Sequence, residues 1–131
     1  MGFSGRSIIC PKRRPHAGQR LFCFPHAGVG PSVFRGWADQ LAAVAEVCLI
    51  QLPGREGRLR ETPLTSISEL MPALIEDMTP LLDRPFAFYG HSLGATIAFE
   101  CARNLRRALD LSMPSLKIGL RSLSIFISIS R

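Results

Sequence analysis

No two of the four cysteines, Cys10, Cys23, Cys48 and Cys101, stand in C-x-x-C spacing, which removes the usual zinc and dithiol signatures. Cys23, Cys48 and Cys101 lie inside apolar runs, where cysteine acts as a small hydrophobe. A reducing compartment, the cytoplasm, is the expectation, with no metal and no organic cofactor. No apolar run is long enough to span a membrane, and Lys117 and Arg121 interrupt the apolar stretch near the C-terminus. Nothing beyond Ile8-Ile9-Cys10 resembles the apolar core of a signal peptide. Met1-Gly2 opens a myristoylation motif that fails at position six, which is Arg6 rather than serine or threonine. Acidic residues are few, 10 against 16 Lys and Arg, for a net charge of +6. The basic residues are scattered, apart from Lys12-Arg13-Arg14, and no aromatics interleave with them in a nucleic-acid-binding pattern. A solvated basic surface is the default, and it favours an acidic partner. Histidine is scarce too: His16, His26 and His91 only.

What the chain does have is one highly organised stretch. Phe86-Ala87-Phe88-Tyr89 is a continuous apolar run leading into Gly90-His91-Ser92-Leu93-Gly94, which fits G-x-S-x-G, and an amphipathic helical pattern follows. Strand, sharp turn and helix in that order make a nucleophile elbow. A serine at the tip of a strained turn draws the flanking backbone together, so a Cβ two residues before or after it would clash. The helix behind the serine aims its amino-terminal N–H groups at any negative charge developing there.

Other elements fall in line on either side. Leu21-Phe22-Cys23-Phe24 is a continuous apolar run of the kind buried on both faces of a parallel sheet. The turn-rich Pro25-His26-Ala27-Gly28-Val29-Gly30 follows it directly. Ser32 is placed to cap a helix with apolar positions at Val33, Phe34, Trp37, Leu41 and Val44. Val47-Cys48-Leu49-Ile50 predicts a second buried strand, and 53–60 a loop. Ile67, Leu70, Met71, Leu74, Ile75, Met78, Leu81 and Leu82 predict a helix over 66–82, with Pro72 acceptable only in its first turn. The last helix buries Leu93, Ile97, Cys101 and Leu105 and turns Arg103, Arg106 and Arg107 outward. Strands alternating with helices mean a parallel sheet with helices on its faces. Ligands then bind beyond the carboxyl ends of the strands, where Ser92 and the 25–30 loop both sit.

From Arg20 to about Arg107 the chain resembles the type II thioesterases, α/β-hydrolases that edit for polyketide and non-ribosomal peptide synthetases. Four segments carry the likeness: 21–28, Gln51-Leu52-Pro53-Gly54-Arg55, Leu81-Leu82-Asp83-Arg84-Pro85-Phe86, and Gly90–Gly94. The resemblance implies a hydrolase of acyl thioesters held on the phosphopantetheine arm of an acyl or peptidyl carrier protein. Ser92 would be the nucleophile. The backbone N–H groups of Leu93 and Ala27 would form the oxyanion hole. His26, Arg55 and Arg58 would line the substrate approach, the arginines facing an acidic carrier or the arm's phosphate, or else standing as solvated loop residues. The fold implied is a partial α/β-hydrolase of three parallel strands, in spatial order second, first, third, with flanking helices.

That family places its general base, a histidine, and the carboxylate orienting it after the serine. No histidine follows Ser92 here, and the acids that do are Glu100, within the helix behind it, and Asp110. The family keeps a histidine at the position of His26 without using it as the base, which makes His26 the less favoured substitute. The chain divides into an irregular leader over 1–19, a thioesterase-like domain over 20–107, and a divergent tail over 108–131, frameshifted or disordered. The tail carries six serines, and from Ser122 to Ser130 it mostly alternates serine with apolar residues. It reads as an edge strand or an unpaired segment. A truncated hydrolase of low or no activity is the expectation, or a non-catalytic remnant that binds a carrier protein. An exposed third-strand edge would make it marginally stable.

Overall fold

The computed structural model describes residues 3–4, 7–26, 29–53, 66–108, 117–121 and 124–129. Its strands are β1 (Phe3–Ser4), β2 (Ile8–Cys10), β3 (Arg20–Phe24), β4 (Glu46–Ile50), β5 (Phe86–His91), β6 (Lys117–Arg121) and β7 (Ser124–Ile129); its helices are α1 (Trp37–Gln40), α2 (Ile67–Met78) and α3 (Leu93–Ala108). They form one seven-stranded sheet in the order β1-β2-β4-β3-β5-β7-β6.

The parallel centre stands in the anticipated order. β3 pairs with β4 on one side and with β5 on the other, both parallel, with Arg20 level with Glu46 and with Phe86. Every residue of β3 and β4 is buried, as the unbroken apolar runs required. One face of the sheet packs Phe22, Phe24, Phe86 and Phe88 against α2 and α3 through Leu74, Met78, Ile97, Cys101 and Leu105. The phenylalanines meet edge-on, Phe22–Phe88 at 5.7 Å and Phe24–Phe88 at 5.1 Å between ring centres. The other face carries a smaller cluster of Leu21, Cys23, Phe34, Val47, Leu49 and Ala87.

The three parallel strands are the centre of a larger, mixed sheet, and two other expectations give way. Ile8–Cys10, read as part of an irregular stretch, pairs antiparallel with β4, Ile8 level with Ile50; three residues are too few for periodicity to register. The serine-apolar alternation near the C-terminus is a strand whose edge is not the sheet's edge. β7 runs antiparallel along all of β5, from Phe86–Ile129 to His91–Ser124, and β6 pairs outside it. Period-two patterning turns Ile125 and Ile127 inward, and the third strand is covered rather than bare.

The helix after Ser32 also differs. Ser32 does not stand ahead of a helix: it lies within a 3-10 turn, Pro31–Phe34, whose N-cap is Gly30. The four-residue α1 follows after Gly36, which takes a left-handed φ of 88°. This glycine breaks the expected continuous helix, and Val33 and Val44 stay exposed. In α2, Ser66 accepts from the Glu69 backbone N–H at 3.3 Å, so the helix starts at Ile67 and Pro72 falls in its interior rather than its first turn. Ser68 is exposed, so the carbonyl that loses its partner to proline meets water.

Candidate functional site

Ser92 is exposed at the junction between β5 and α3. It is the one non-glycine among the described residues with positive φ, 56°, a conformation that costs an ordinary side chain about 1–3 kcal/mol. Its carbonyl accepts from the N–H groups of Ala95 at 3.0 Å and Thr96 at 3.3 Å. The backbone therefore turns out of a buried strand into a sixteen-residue helix at a single residue.

The two glycines of the motif make that turn sterically feasible. A Cβ on Gly90 would run into the backbone of Gly94 and lie 2.6 Å from the nitrogen of Ala95. A Cβ on Gly94 would strike the carbonyl of Phe24 and lie 2.7 Å from that of Pro25. The second clash locates the site as well as explaining it. The carboxyl end of β3, and the start of the loop beyond it, press directly against the first turn of α3. The amino end of that sixteen-residue helix presents backbone N–H groups to the same corner.

Two of the three histidines gather there too. The rings of His26 and His91 meet edge to face, 5.8 Å between centres. His91 Nδ1 lies 2.9 Å from the Ser124 hydroxyl, which is also 3.2 Å from the Tyr89 hydroxyl. Ser124 reaches this position only through the β5–β7 pairing, and its neighbours in sequence gave no hint of it. His91 is thus held by β7. Ala27, Arg55 and Arg58, expected in the oxyanion hole and along the approach, lie outside the described residues. An open cavity of about 440 Å³ lies between Pro11, Phe34, Arg35, Asp39 and Leu49; among the described residues, neither His26 nor Ser92 nor Leu93 lines it.

At the opposite end of the parallel strands sits a charged cluster with a different character. Glu46 is fully buried and accepts from Arg20 Nε at 2.6 Å, Arg13 Nε at 3.0 Å and the Arg14 backbone N–H at 2.5 Å. Arg20 also binds the Leu81 carbonyl at 2.8 Å and pairs with Asp83. Burial alone would push the Glu46 carboxyl up; the Arg14 amide and the two guanidiniums outweigh it and hold it below its ordinary value. Sequence gave only Asp83-Arg84-Pro85 as part of a likeness, with no role.

Comparison with known proteins matches a "Thioesterase domain" family model over residues 19–123. The chain is 50% identical over 93 residues to the gramicidin S biosynthesis protein GrsT of Aneurinibacillus migulanus, covering 71% of this chain and 36% of that protein. It superposes on the type II thioesterase BorB from the borrelidin biosynthetic cluster with a TM-score of 0.75 and 37% identity, covering 81% of this chain and 45% of that one. RedJ, the thioesterase of the prodiginine pathway in Streptomyces coelicolor, gives 0.63 and 43%, with 71% and 35% covered. The chain thus spans less than half the length of these relatives, between 35% and 45%.

Proposed function

This chain belongs to the thioesterase domain family, and on that premise we propose that it carries the nucleophile half of an acyl-thioester hydrolase serving polyketide or non-ribosomal peptide assembly. Ser92 is the nucleophile, and the backbone N–H of Leu93 is one oxyanion donor. The N–H of Ala27 is the second, on the loop whose first residues abut the elbow. The substrate is an acyl group on the phosphopantetheine arm of an acyl or peptidyl carrier protein, with His26, Arg55 and Arg58 along its approach. The observation that carries this reading is the positive φ of Ser92 between two glycines that admit no Cβ. Such strain is maintained where a hydroxyl must be presented.

Attack by a serine hydroxyl needs a base to take its proton. No histidine follows Ser92 among the 131 residues, and His91, though adjacent, is engaged by Ser124. Acting alone, the chain keeps oxyanion stabilisation and binding, so turnover falls roughly 10⁴–10⁶-fold below that of a relative with a full triad. The same observation favours a second reading, a carrier-protein-binding unit without catalysis. Hydrolysis of an acyl-N-acetylcysteamine thioester and labelling by a fluorophosphonate separate the two. Slow turnover and labelling that both vanish in Ser92→Ala support the hydrolase. Neither signal, with retained binding to an acyl carrier protein, supports the binding unit. Turnover at a full relative's rate, lost in His26→Gln, would instead make His26 the base.

A further inference from the structure

We propose that Cys10 and Cys48 are a redox couple whose oxidation by a peroxide or a small disulfide joins their sulfurs and staples β2 to β4. The two sulfurs lie 2.8 Å apart, both residues fully buried. Extending the Ile8–Ile50 and Ile9–Leu49 register by one step places Cys10 level with Cys48. The Gln51 N–H bonds the Ser7 carbonyl at 2.8 Å, and counting alternate pairs from there makes Cys10–Cys48 a non-hydrogen-bonded pair. That is the closer of the two antiparallel spacings, about 4.5 Å between Cα atoms, inside the range a disulfide accepts.

The chemistry favours attack by Cys10. The hydrogen bond with Cys48, then the charges of Arg13 and Arg20, hold its thiol below its ordinary value against burial and the Glu46 charge, while that hydrogen bond and burial push Cys48 up. With hydrogen peroxide, the Cys10 thiolate attacks one oxygen and the O–O bond breaks, leaving a sulfenic acid and hydroxide, which takes the Cys48 proton. The Cys48 thiolate then displaces the sulfenic oxygen as hydroxide, which leaves as water on taking up the proton that Cys10 released in forming its thiolate. Two thiols and one peroxide become one disulfide and two waters. Cys10 ends its strand next to exposed Pro11 and Lys12, and among the described residues only the two-residue β1 lies beyond β2. Local opening at this flank admits a small oxidant.

A metal is the competing occupant, since a Glu46 oxygen and both sulfurs lie within 4.8 Å of one another. The carboxylate is already filled by two guanidiniums and an amide, and those positive charges oppose a cation. Cys23 and Cys101 sit apart, both pushed up by burial, Cys101 to about 12.

Full-length protein is exposed to hydrogen peroxide or oxidised glutathione, alkylated, and peptide-mapped without reduction. The expected result is a Cys10–Cys48 linked peptide lighter by two hydrogens, with Cys23 and Cys101 alkylated only after denaturation. The oxidised protein should melt several degrees above the reduced protein, and dithiothreitol should reverse the rise. Cys10→Ser and Cys48→Ala should abolish both changes; if either fails to fold, the oxidised-against-reduced comparison on the native chain decides alone. Four free thiols after oxidation, a linked peptide through Cys23 or Cys101, or one zinc retained per chain and released by thiol blocking would each overturn the couple.

Discussion

At the scale of single residues, the elbow is a steric solution before it is a chemical one. Ser92 adopts its left-handed φ because two neighbours have no side chain to obstruct it. Gly94 matters most, since the obstruction would be backbone on another strand, Phe24 and Pro25, which cannot rotate away as a side chain can. Replacing it with alanine should cost about 1–3 kcal/mol, the usual penalty for overpacking, read as a lower denaturant midpoint. It should also suppress fluorophosphonate labelling, because relief of the clash moves α3 away from the oxyanion loop. Gly18 is the control: a Cβ there meets nothing within 4 Å, so Gly18→Ala should be neutral or slightly stabilising. Equal losses in the two variants would mean that alanine acts through general backbone effects and that the close approach at Gly94 is immaterial.

At the scale of elements, legibility followed the physics of each pattern. β3, β4 and β5 were readable because burial on both faces demands unbroken apolar runs, and their order came with the likeness carried by their motifs. α3 was readable from its stripe, whose Ile97, Cys101 and Leu105 are all buried. β2 was not, because three residues hold no period. The continuous helix expected through Trp37 failed at Gly36, whose φ of 88° is a backbone fact that an apolar pattern does not encode. Around Ser92 the glycines were legible and the Ser124–His91 contact was not, since strand pairing brings it together across 33 positions. β7 was legible as alternation but not as a partner for β5, and this makes it the element most worth breaking. Ile127 is 1% exposed and level with Phe88, between β5 and β6. Ile127→Pro removes a ladder hydrogen bond and a buried side chain together. The apolar edge of β5 would then be bared, and the variant should form oligomers on size-exclusion chromatography at concentrations where the native chain elutes as a monomer. If the variant stays monomeric with an unchanged melt, β7 contributes little to covering that edge.

At the scale of the whole molecule, the two ends of the parallel strands have divided labour. The carboxyl ends hold Ser92 and the start of the loop proposed to complete the oxyanion hole. The amino ends hold Glu46, which ties β4 to β3 through Arg20 and to the preceding segment through Arg13 and Arg14, while Arg20 reaches on to Leu81 and Asp83 ahead of β5. Arg84 closes the ring by donating to the carbonyls of Pro15 at 3.1 Å and Ala17 at 3.0 Å. One carboxylate therefore anchors several chain segments at the opposite end of the sheet from the Ser92 hydroxyl, and its protonation should be felt as global stability. Its folded pKa lies below the ordinary 4.5. The unfolded state therefore takes up the proton first as pH falls. The contribution is complete above about pH 4.5 and is lost as pH drops through the lower folded value. Glu46→Gln should cost about 3–5 kcal/mol at neutral pH, because it leaves a buried guanidinium short of its partner. The glutamine variant should also lose less further stability between pH 5 and 3 than the native chain, since Asp83, whose carboxyl Arg84 and Arg20 hold below its ordinary value, is present in both. Chemical denaturation at several pH values measures both quantities. Parallel stability curves, offset but equal in slope, would show that the acid sensitivity resides in other carboxylates.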